Sequence, residues 1–455
     1  MSLEPFFRAK SIAVVGASRT PGHVGYVILE NLVHGDYHGT VFPINPQATE
    51  ILGVRCYPSV LAVKEKIELA VIAVPVDAVL AVIHDCGKKG IKHVVMVTAG
   101  FSEVGNIKLQ KQLGVLLKKY KIRAIGPNCL GVLDGHSGID TIFIPRERIR
   151  RPSSGGLAIV SQSGALGSTL LDLCSLEFIG VSTFVSYGNA LDVDVPELLD
   201  YFASDTKTTA VCMYIEGLHD GRAFLDAARV ITKKKPVIVL KGGMTAAGSK
   251  AALSHTASLA GSGEIYRGAF RQAGCIIAEN FEEFVDLAEL VAKVGVIRGK
   301  RIAVVTNSGG HAILASDAIE RDGMVFAPFE KKTLTLLGKA LAPVPVKNPL
   351  DLLGDATAER YRIALEMCIA DGTVDIILLM CMPQTPRIDV AQLLEVMRMV
   401  KGIKSTKPLV CVTSGSTFAE QFKLEVEKMG FPCYHFPEEA VRSIAKVGGY
   451  YETRK

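Results

Sequence analysis

Tryptophan is absent from this chain of 455 residues, and aromatic residues make up only 7% of it. Charge is sparse as well: 21% of residues are Asp, Glu, Lys or Arg, and the net charge is +5. The longest basic run is Lys233-Lys234-Lys235. Nucleic-acid binding through a basic patch is therefore not indicated. None of the ten Cys stands in a C-x-x-C pair. They read as reduced, mostly buried thiols of a cytosolic protein, so the expected localisation is cytoplasmic. No H-E-x-x-H motif or Cys-rich metal pattern occurs, and no metal site is expected on the chain. The G-x-S-x-G elbow of many serine hydrolases is also missing. Met1 to Lys10 contains no apolar core, so no signal peptide is expected. The longest apolar stretch, Leu69 to Ile83, is interrupted by Pro75 and Asp77. It is too short to cross a bilayer, and no membrane association is expected.

What the chain does have is core-forming material, at 49% hydrophobic residues. Its length suggests about three domains. Short β-branched runs alternate with amphipathic stretches from end to end. Ile12–Val15, Leu69–Val74, Val94–Thr98, Leu157–Val160, Ala210–Ile215, Val237–Leu240, Ile302–Val305, Ile376–Met380 and Leu409–Thr413 are examples. Buried parallel strands with crossover helices produce this pattern. The expected fold is α/β, with three doubly wound parallel sheets. Punctuation at Arg146–Ser154 and Gly295–Lys300 places the domains at 1–150, 151–297 and 298–455.

One segment stands apart. From Gly242 to Gly263, fifteen of twenty-two residues are Gly, Ala or Ser, and His255 lies in the middle. Such a loop has little side chain to bury. It is either a mobile carrier of a reactive imidazole or a flexible loop that happens to hold a histidine. Gly243 to Lys250 approaches a P-loop, but Ser249-Lys250 inverts the required Lys-Ser order, which excludes a P-loop ATPase. Glu216 closes the apolar strand Ala210–Ile215. It is either a carboxylate poised to orient an imidazole or a solvent-facing strand end.

The chain also echoes itself. Ile159-Val160-Ser161-Gln162-Ser163-Gly164 and Val304-Val305-Thr306-Asn307-Ser308-Gly309 each end a strand and open a helix, with Asp172 and Asp317 nine residues beyond the Ser. Each turn is either an ordinary Ser N-cap or an anion site at a positive helix end. The first domain opens with Gly16-Ala17-Ser18 after a strand, in a nucleotide-binding position. Ser18 takes the place of the second Gly of G-x-G-x-x-G, and Asn45-Pro46 stands where an NAD site needs an acid. A pyrophosphate-containing nucleotide such as coenzyme A fits better than NAD. Val74-Pro75, Thr98 and Gly126-Pro127-Asn128 leave other strand ends of the same domain. The amide of Asn128 suits a thioester or carboxylate.

Taken in order, these motifs resemble the α chain of the NDP-forming acyl-CoA synthetases. The first two domains are similar to the α subunit of the succinyl enzymes. The whole chain is more similar to the ADP-forming acetate–CoA ligase branch, in which a third domain is joined to α. The resemblance implies one CoA-binding Rossmann-like domain and two flavodoxin-like domains. It implies that His255 is phosphorylated and that Glu216 orients it. Ser163 with Gly164, and Ser308 with Gly309 and Gly310, would hold the phosphoryl group. Gly16, Ala17, Ser18, Asn45, Pro46, Val74, Pro75 and Thr98 would line the coenzyme A site, and Asn128 its acyl end. Gln47 departs from the family, whose members often carry Lys near that loop. Coenzyme A would be a substrate. ADP or ATP and magnesium would sit on an ATP-grasp β subunit, in an α2β2 heterotetramer. The implied reaction is acyl-CoA + ADP + phosphate ⇌ carboxylic acid + ATP + CoA.

Overall fold

The computed structural model describes residues 1–245, 247, 248, 250, 263–403 and 405–454. His255 therefore lies outside the described residues. The chain divides into two compact units, Met1–Glu279 and Asn280–Lys455.

Unit 1 holds two sheets. The first contains β1 (Ser11–Val15), β2 (Thr40–Ile44), β5 (Leu69–Ile72), β6 (His93–Met96) and β7 (Arg123–Ile125), all parallel, in the order β2-β1-β5-β6-β7. A small hairpin, β3 (Glu50–Ile51) and β4 (Val54–Arg55), interrupts the path from β2 to β5. The second sheet contains β8 (Val132–Asp134), β9 (Ser154–Ser161), β10 (Val181–Ser186), β11 (Ala210–Ile215), β12 (Val237–Lys241) and β13 (Ile276–Ala278). Its order is β13-β12-β11-β9-β10-β8, with only β8 antiparallel. Unit 2 holds β14 (Arg301–Thr306), β15 (Val325–Phe326), β16 (Leu350–Asp351), β17 (Ile376–Met380), β18 (Leu409–Val412) and β19 (Cys433–Tyr434). Its order is β15-β14-β17-β18-β19, and β16 also pairs with β14.

All three sheets repeat one arrangement. Counting parallel strands in chain order and leaving β16 aside, each runs second, first, third, fourth, fifth. This is the flavodoxin-like order, whose switch point lies between the first and third strands. Strand composition explains the layering. Val14, Ile72, Val94, Val160, Val211, Val239, Val304 and Leu378 are fully buried. Helices cover both faces of each sheet, so the apolar runs need no polar alternation. Each fully buried Val, Ile or Leu contributes roughly 1.5–3 kcal/mol.

The strand runs read from sequence lie within or overlap β1, β5, β6, β9, β11, β12, β14, β17 and β18. Two elements stand near the boundaries read from sequence. Strand β8 precedes residue 150 yet completes the second sheet. Helix Phe281–Lys293 falls in unit 2, ahead of residue 298, because it packs on helix Pro437–Glu452. Nine of the ten cysteines are buried and Cys275 is half-buried. Among the described residues no helix is long and apolar enough to cross a membrane.

Unit 2 carries buried acids where its helices meet. Burial pushes the Asp286 carboxyl up to about 8, and the charges of Glu439 and Glu289 add to this against the opposing Arg442. A carboxyl raised in the folded state contributes stability that is complete below its unfolded value, about 3.9. That contribution is lost as pH rises through the folded value, about 8. Asp286→Asn removes the titration. Relative to wild type, its thermal midpoint is expected to climb between about pH 6 and about pH 8.5. A constant difference in midpoint across that window would contradict the assignment.

Candidate active site

The first sheet places a cavity of about 410 Å3 at the C-terminal ends of β1, β2 and β5. This is its topological switch point, where open α/β sheets bind ligands. Gly16, Ala17, Ser18, Asn45, Pro46, Val74 and Pro75 all line it. Thr98 does not; its hydroxyl donates to the carbonyl of Val74 at 2.8 Å and so holds the wall in place. The Gly turn is a close backbone approach. Gly16 has φ +92°, and a Cβ there would lie 2.3 Å from the Ala73 carbonyl oxygen. A Cβ on Gly25 would lie 1.9 Å from the Gly16 carbonyl oxygen. Helix Val24–Val33 is thereby brought onto the turn, and its His23 N-cap makes no side-chain cap bond. The helix start faces the ligand end of the sheet with its positive pole.

Asn45 does structural work in this wall. Its Nδ2 donates to the Ala17 carbonyl at 2.8 Å, and its Oδ1 accepts the Gln47 N–H at 2.8 Å. It fastens the β2 loop to the Gly turn. Pro58, Ser59 and Asp85 also line the cavity. Sequence patterns gave no sign of them, since a loop Pro-Ser and an acid on helix Val79–Lys89 are commonplace.

Asn128 follows β7 and is exposed, in a left-handed conformation with φ +57°. Its N–H donates to the Thr98 carbonyl at 3.0 Å, and its Nδ2 donates to Asn189 Oδ1 at 3.2 Å. Asn189 Nδ2 donates in turn to Glu103 Oε2 at 2.5 Å and to Gln110 Oε1 at 3.1 Å. Burial works to raise the Glu103 carboxyl. Hydrogen bonds from Asn189 and from the Gly100 and Phe101 N–H groups outweigh it and hold the carboxyl below its usual range. Asn128 is thus oriented by an ionised carboxylate acting through Asn189, a relay with no signature in local sequence.

The second sheet assembles another site at its own switch point. Ser163 follows β9 and caps helix Gly164–Leu176, its Oγ accepting the Leu166 N–H at 3.4 Å. Glu216 follows the adjacent strand β11 and is half-buried. Gln162 ties the two strand ends together. Its Oε1 accepts the N–H groups of Glu216 at 2.7 Å and Gly217 at 3.0 Å, and the Tyr187 hydroxyl at 3.3 Å. The Tyr214 hydroxyl pairs with the Glu216 carboxylate, and burial together with that charge pushes it up to about 12. Strand β12, next to β11, ends at Lys241 and leads into Gly242. Ser163, Gly164, Glu216 and Gly242 therefore stand at the ends of the adjacent strands β9, β11 and β12. Gln162, Tyr214 and Lys241 complete the cluster and were not singled out from sequence.

Unit 2 repeats the local design. Ser308 is the N-cap of helix Gly309–Arg321 after β14. The residue two before each Ser donates its hydroxyl to that Ser carbonyl: Ser161 to Ser163 at 2.6 Å, Thr306 to Ser308 at 3.4 Å. The residue between pins the third strand of the sheet. Asn307 does so through Met382, accepting its N–H at 2.9 Å and donating to its carbonyl at 3.1 Å. The copies also differ. The Ser308 hydroxyl meets His311 Nδ1 at 2.8 Å and does not cap its helix. Burial lowers the His311 imidazole against the opposing charge of Glu438. A Cβ on Gly309 would come within 3.4 Å of the Asp351 carboxylate, whereas Gly310 is open. Ser163 and Ser308 belong to different compact units.

Comparison with known proteins agrees with this geometry. The model of a CoA binding domain matches residues 10–134, and that of a succinyl-CoA ligase like flavodoxin domain matches residues 154–291. The chain is 44% identical to an ADP-forming acetate–CoA ligase of Methanocaldococcus jannaschii, over 97% of this chain and 62% of the relative's length. It is 37% identical to the α subunit of ADP-forming acetate–CoA ligase II of Pyrococcus furiosus, over 98% of this chain and 99% of that subunit. Among solved structures, a dinucleotide-forming acetyl-coenzyme A synthetase 1 of Ca. Korarchaeum cryptofilum, in complex with phosphate and ADP, superposes with a TM-score of 0.94. It is 35% identical and covers 100% of this chain and 97% of its own. A chain with this similarity over nearly its full length and that of a complete α subunit belongs to the ADP-forming acetate–CoA ligase family, within the NDP-forming acyl-CoA synthetases.

Proposed function

We propose that this chain is the α subunit of an ADP-forming acyl-CoA synthetase, catalysing acyl-CoA + ADP + phosphate ⇌ carboxylic acid + ATP + CoA. The names of its relatives point to acetate as the acid. The observation that carries the reading is the convergence at the β9/β11 switch point. A capped helix start, the Glu216 carboxylate and the root of the His255 loop end adjacent strands there. The sheet with the Gly-turn cavity lies in the same compact unit. The three domains are assigned as 1–150, 151–297 and 298–455.

Coenzyme A fits the first-sheet cavity. The Gly turn offers backbone N–H groups at a helix start, and β2 leads into Asn45-Pro46 where an NAD site needs an acid. Gly16–Ser18, Asn45-Pro46 and Val74-Pro75 line its path, Thr98 supports it, and Asn128 faces the acyl end. In the forward step a phosphate oxygen attacks the thioester carbonyl. The C–S bond breaks, and the thiolate leaves to take up a proton. A nitrogen of His255 then attacks the phosphorus of the acyl phosphate, and the P–O bond to the carboxylate breaks. ADP receives the phosphoryl group and the imidazole is restored. Glu216 holds the N–H of the other nitrogen, fixing the tautomer and favouring the cation that develops. Ser163-Gly164 and Ser308-Gly309-Gly310 present helix N-termini to the moving dianion, so stabilisation requires no reorganisation. ADP, ATP and magnesium belong to an ATP-grasp β partner, in an α2β2 assembly in the cytoplasm.

Titration of the α chain with nucleotides tests the cofactor assignment. Coenzyme A is expected to bind with measurable heat, and NAD is expected to give none. Binding of NAD without binding of coenzyme A would remove this reading.

A further inference from the structure

Lys241 is the last residue of β12 and is only 9% exposed. An ammonium in such a place must find partners inside the protein or give up its charge. Its Nζ donates to the carbonyl oxygen of Glu216 at 2.8 Å and to that of Gly242. It also stands 4.6 Å from the centroid of the Tyr266 ring, within cation–π range. Tyr266 belongs to helix Gly263–Ala273, and its hydroxyl accepts the Leu218 N–H at 3.3 Å. One ammonium thus joins three pieces of chain: the residue after β11, the first residue after β12, and the helix that begins at Gly263. The last two also touch directly, since a Cβ on Gly263 would lie 2.4 Å from the Met244 carbonyl oxygen.

We propose that Lys241 is a positioning residue for phosphoryl transfer, its ammonium fixing both roots of the loop that carries His255 against the strand end that carries Glu216. The proposal rests on the roles given above to His255 and Glu216. Fifteen of the twenty-two residues from Gly242 to Gly263 are Gly, Ala or Ser, so the sequence offers little side chain to fix the course of this segment. Its aim is set at its roots, and a misplacement of about 1 Å there can cost on the order of a hundredfold in rate. The charge acts as well. Lys241 and Glu216 attract each other, and a neighbouring cation favours the ionised form of a carboxylate. The other titratable groups gathered there are Tyr214 on β11, Tyr187 after β10, Tyr266 on the following helix and Asp194. Asp194 is itself paired with His219, Nδ1 to Oδ2 at 3.2 Å, and that bond raises the imidazole, whereas Lys241 is the cation bonded directly to the strand end that carries Glu216.

The test uses the full α chain with its ATP-grasp partner and labelled ATP. Rates of label uptake are measured across pH for wild type, Lys241→Met, Lys241→Arg and His255→Ala, with coenzyme A affinity measured in parallel. Lys241→Met is expected to slow uptake about 10- to 100-fold. Coenzyme A affinity should stay unchanged, and the acid limb of the pH profile should move to higher pH. Lys241→Arg should restore much of the rate and return the acid limb. If Lys241→Met yields no folded chain, Lys241→Gln carries the same test, with the same displacement of the acid limb expected. Uptake within twofold of wild type with an unmoved acid limb, in whichever variant folds, overturns the proposal. A loss that Lys241→Arg does not rescue, or one that takes coenzyme A binding with it, also overturns it. Undiminished uptake by His255→Ala signals instead that the underlying reading has failed.

Discussion

His255→Ala is expected to abolish ATP formation from acyl-CoA, ADP and phosphate, by at least about four powers of ten, as loss of a covalent nucleophile does. The loss should be selective. In the proposed scheme the attack of phosphate on the thioester uses the cavity at the end of the first sheet and the acyl end at Asn128, but not the imidazole. A single turnover of coenzyme A release should therefore survive in the variant, without consumption of ADP. Rapid-quench measurement of free thiol and of ATP in the same samples separates the two steps. Loss of both together would mean that His255 has a structural or binding role. Retention of both would remove the histidine from the reaction.

Glu216→Gln is expected to slow phosphorylation of the α chain by about one to three powers of ten, the range for loss of an acid–base or orienting group. The substitution is close to isosteric, and its surroundings say what remains. The Glu216 N–H still donates to Gln162 and its carbonyl still accepts from Lys241, so the backbone stays where it is. The Tyr214 hydroxyl keeps an oxygen acceptor in place of the carboxylate it now meets. What disappears is the negative charge opposite a developing imidazolium. Coenzyme A affinity should not change, because its cavity lies in the other sheet. Stopped-time labelling with ATP and the partner subunit measures the rate directly. A rate equal to wild type would assign Glu216 to the wall of the site alone.

Strands were legible because parallel sheets covered on both faces read as unbroken β-branched runs, and β1, β5, β6, β9, β11, β12, β14, β17 and β18 all contain or overlap such runs. The order of strands was not, since nothing in a run states its neighbour. The echo between Ser161–Gly164 and Thr306–Gly309 was visible as a pattern, and the hydroxyl-to-carbonyl bonds of Ser161 and Thr306 give it a physical basis. Divergence between the copies escaped notice. The capping bond of Ser163 and the His311 contact of Ser308 depend on neighbours that sequence does not place. Helix Phe281–Lys293 precedes the Gly and basic punctuation at Gly295–Lys300. Its packing partner, helix Pro437–Glu452, lies far along the chain. Asn45 was read as a ligand-facing residue, yet both ends of its amide are bonded to loop backbone. Side chains acting at one remove, such as Gln162, Asn189 and Lys241, left no mark in spacing or composition.

The most direct measurement of the central claim is to map the phosphate. The α chain, its ATP-grasp partner, ATP and magnesium are incubated and digested at neutral to alkaline pH, and the peptides are sequenced by mass spectrometry. The account predicts one acid-labile phosphoryl group on the α chain, on the peptide spanning Gly242 to Gly263 and localised to His255. It predicts loss of that group when ADP is added. Phosphate on any other residue of the chain, or turnover with the His255 peptide unmodified at every time point, would contradict it.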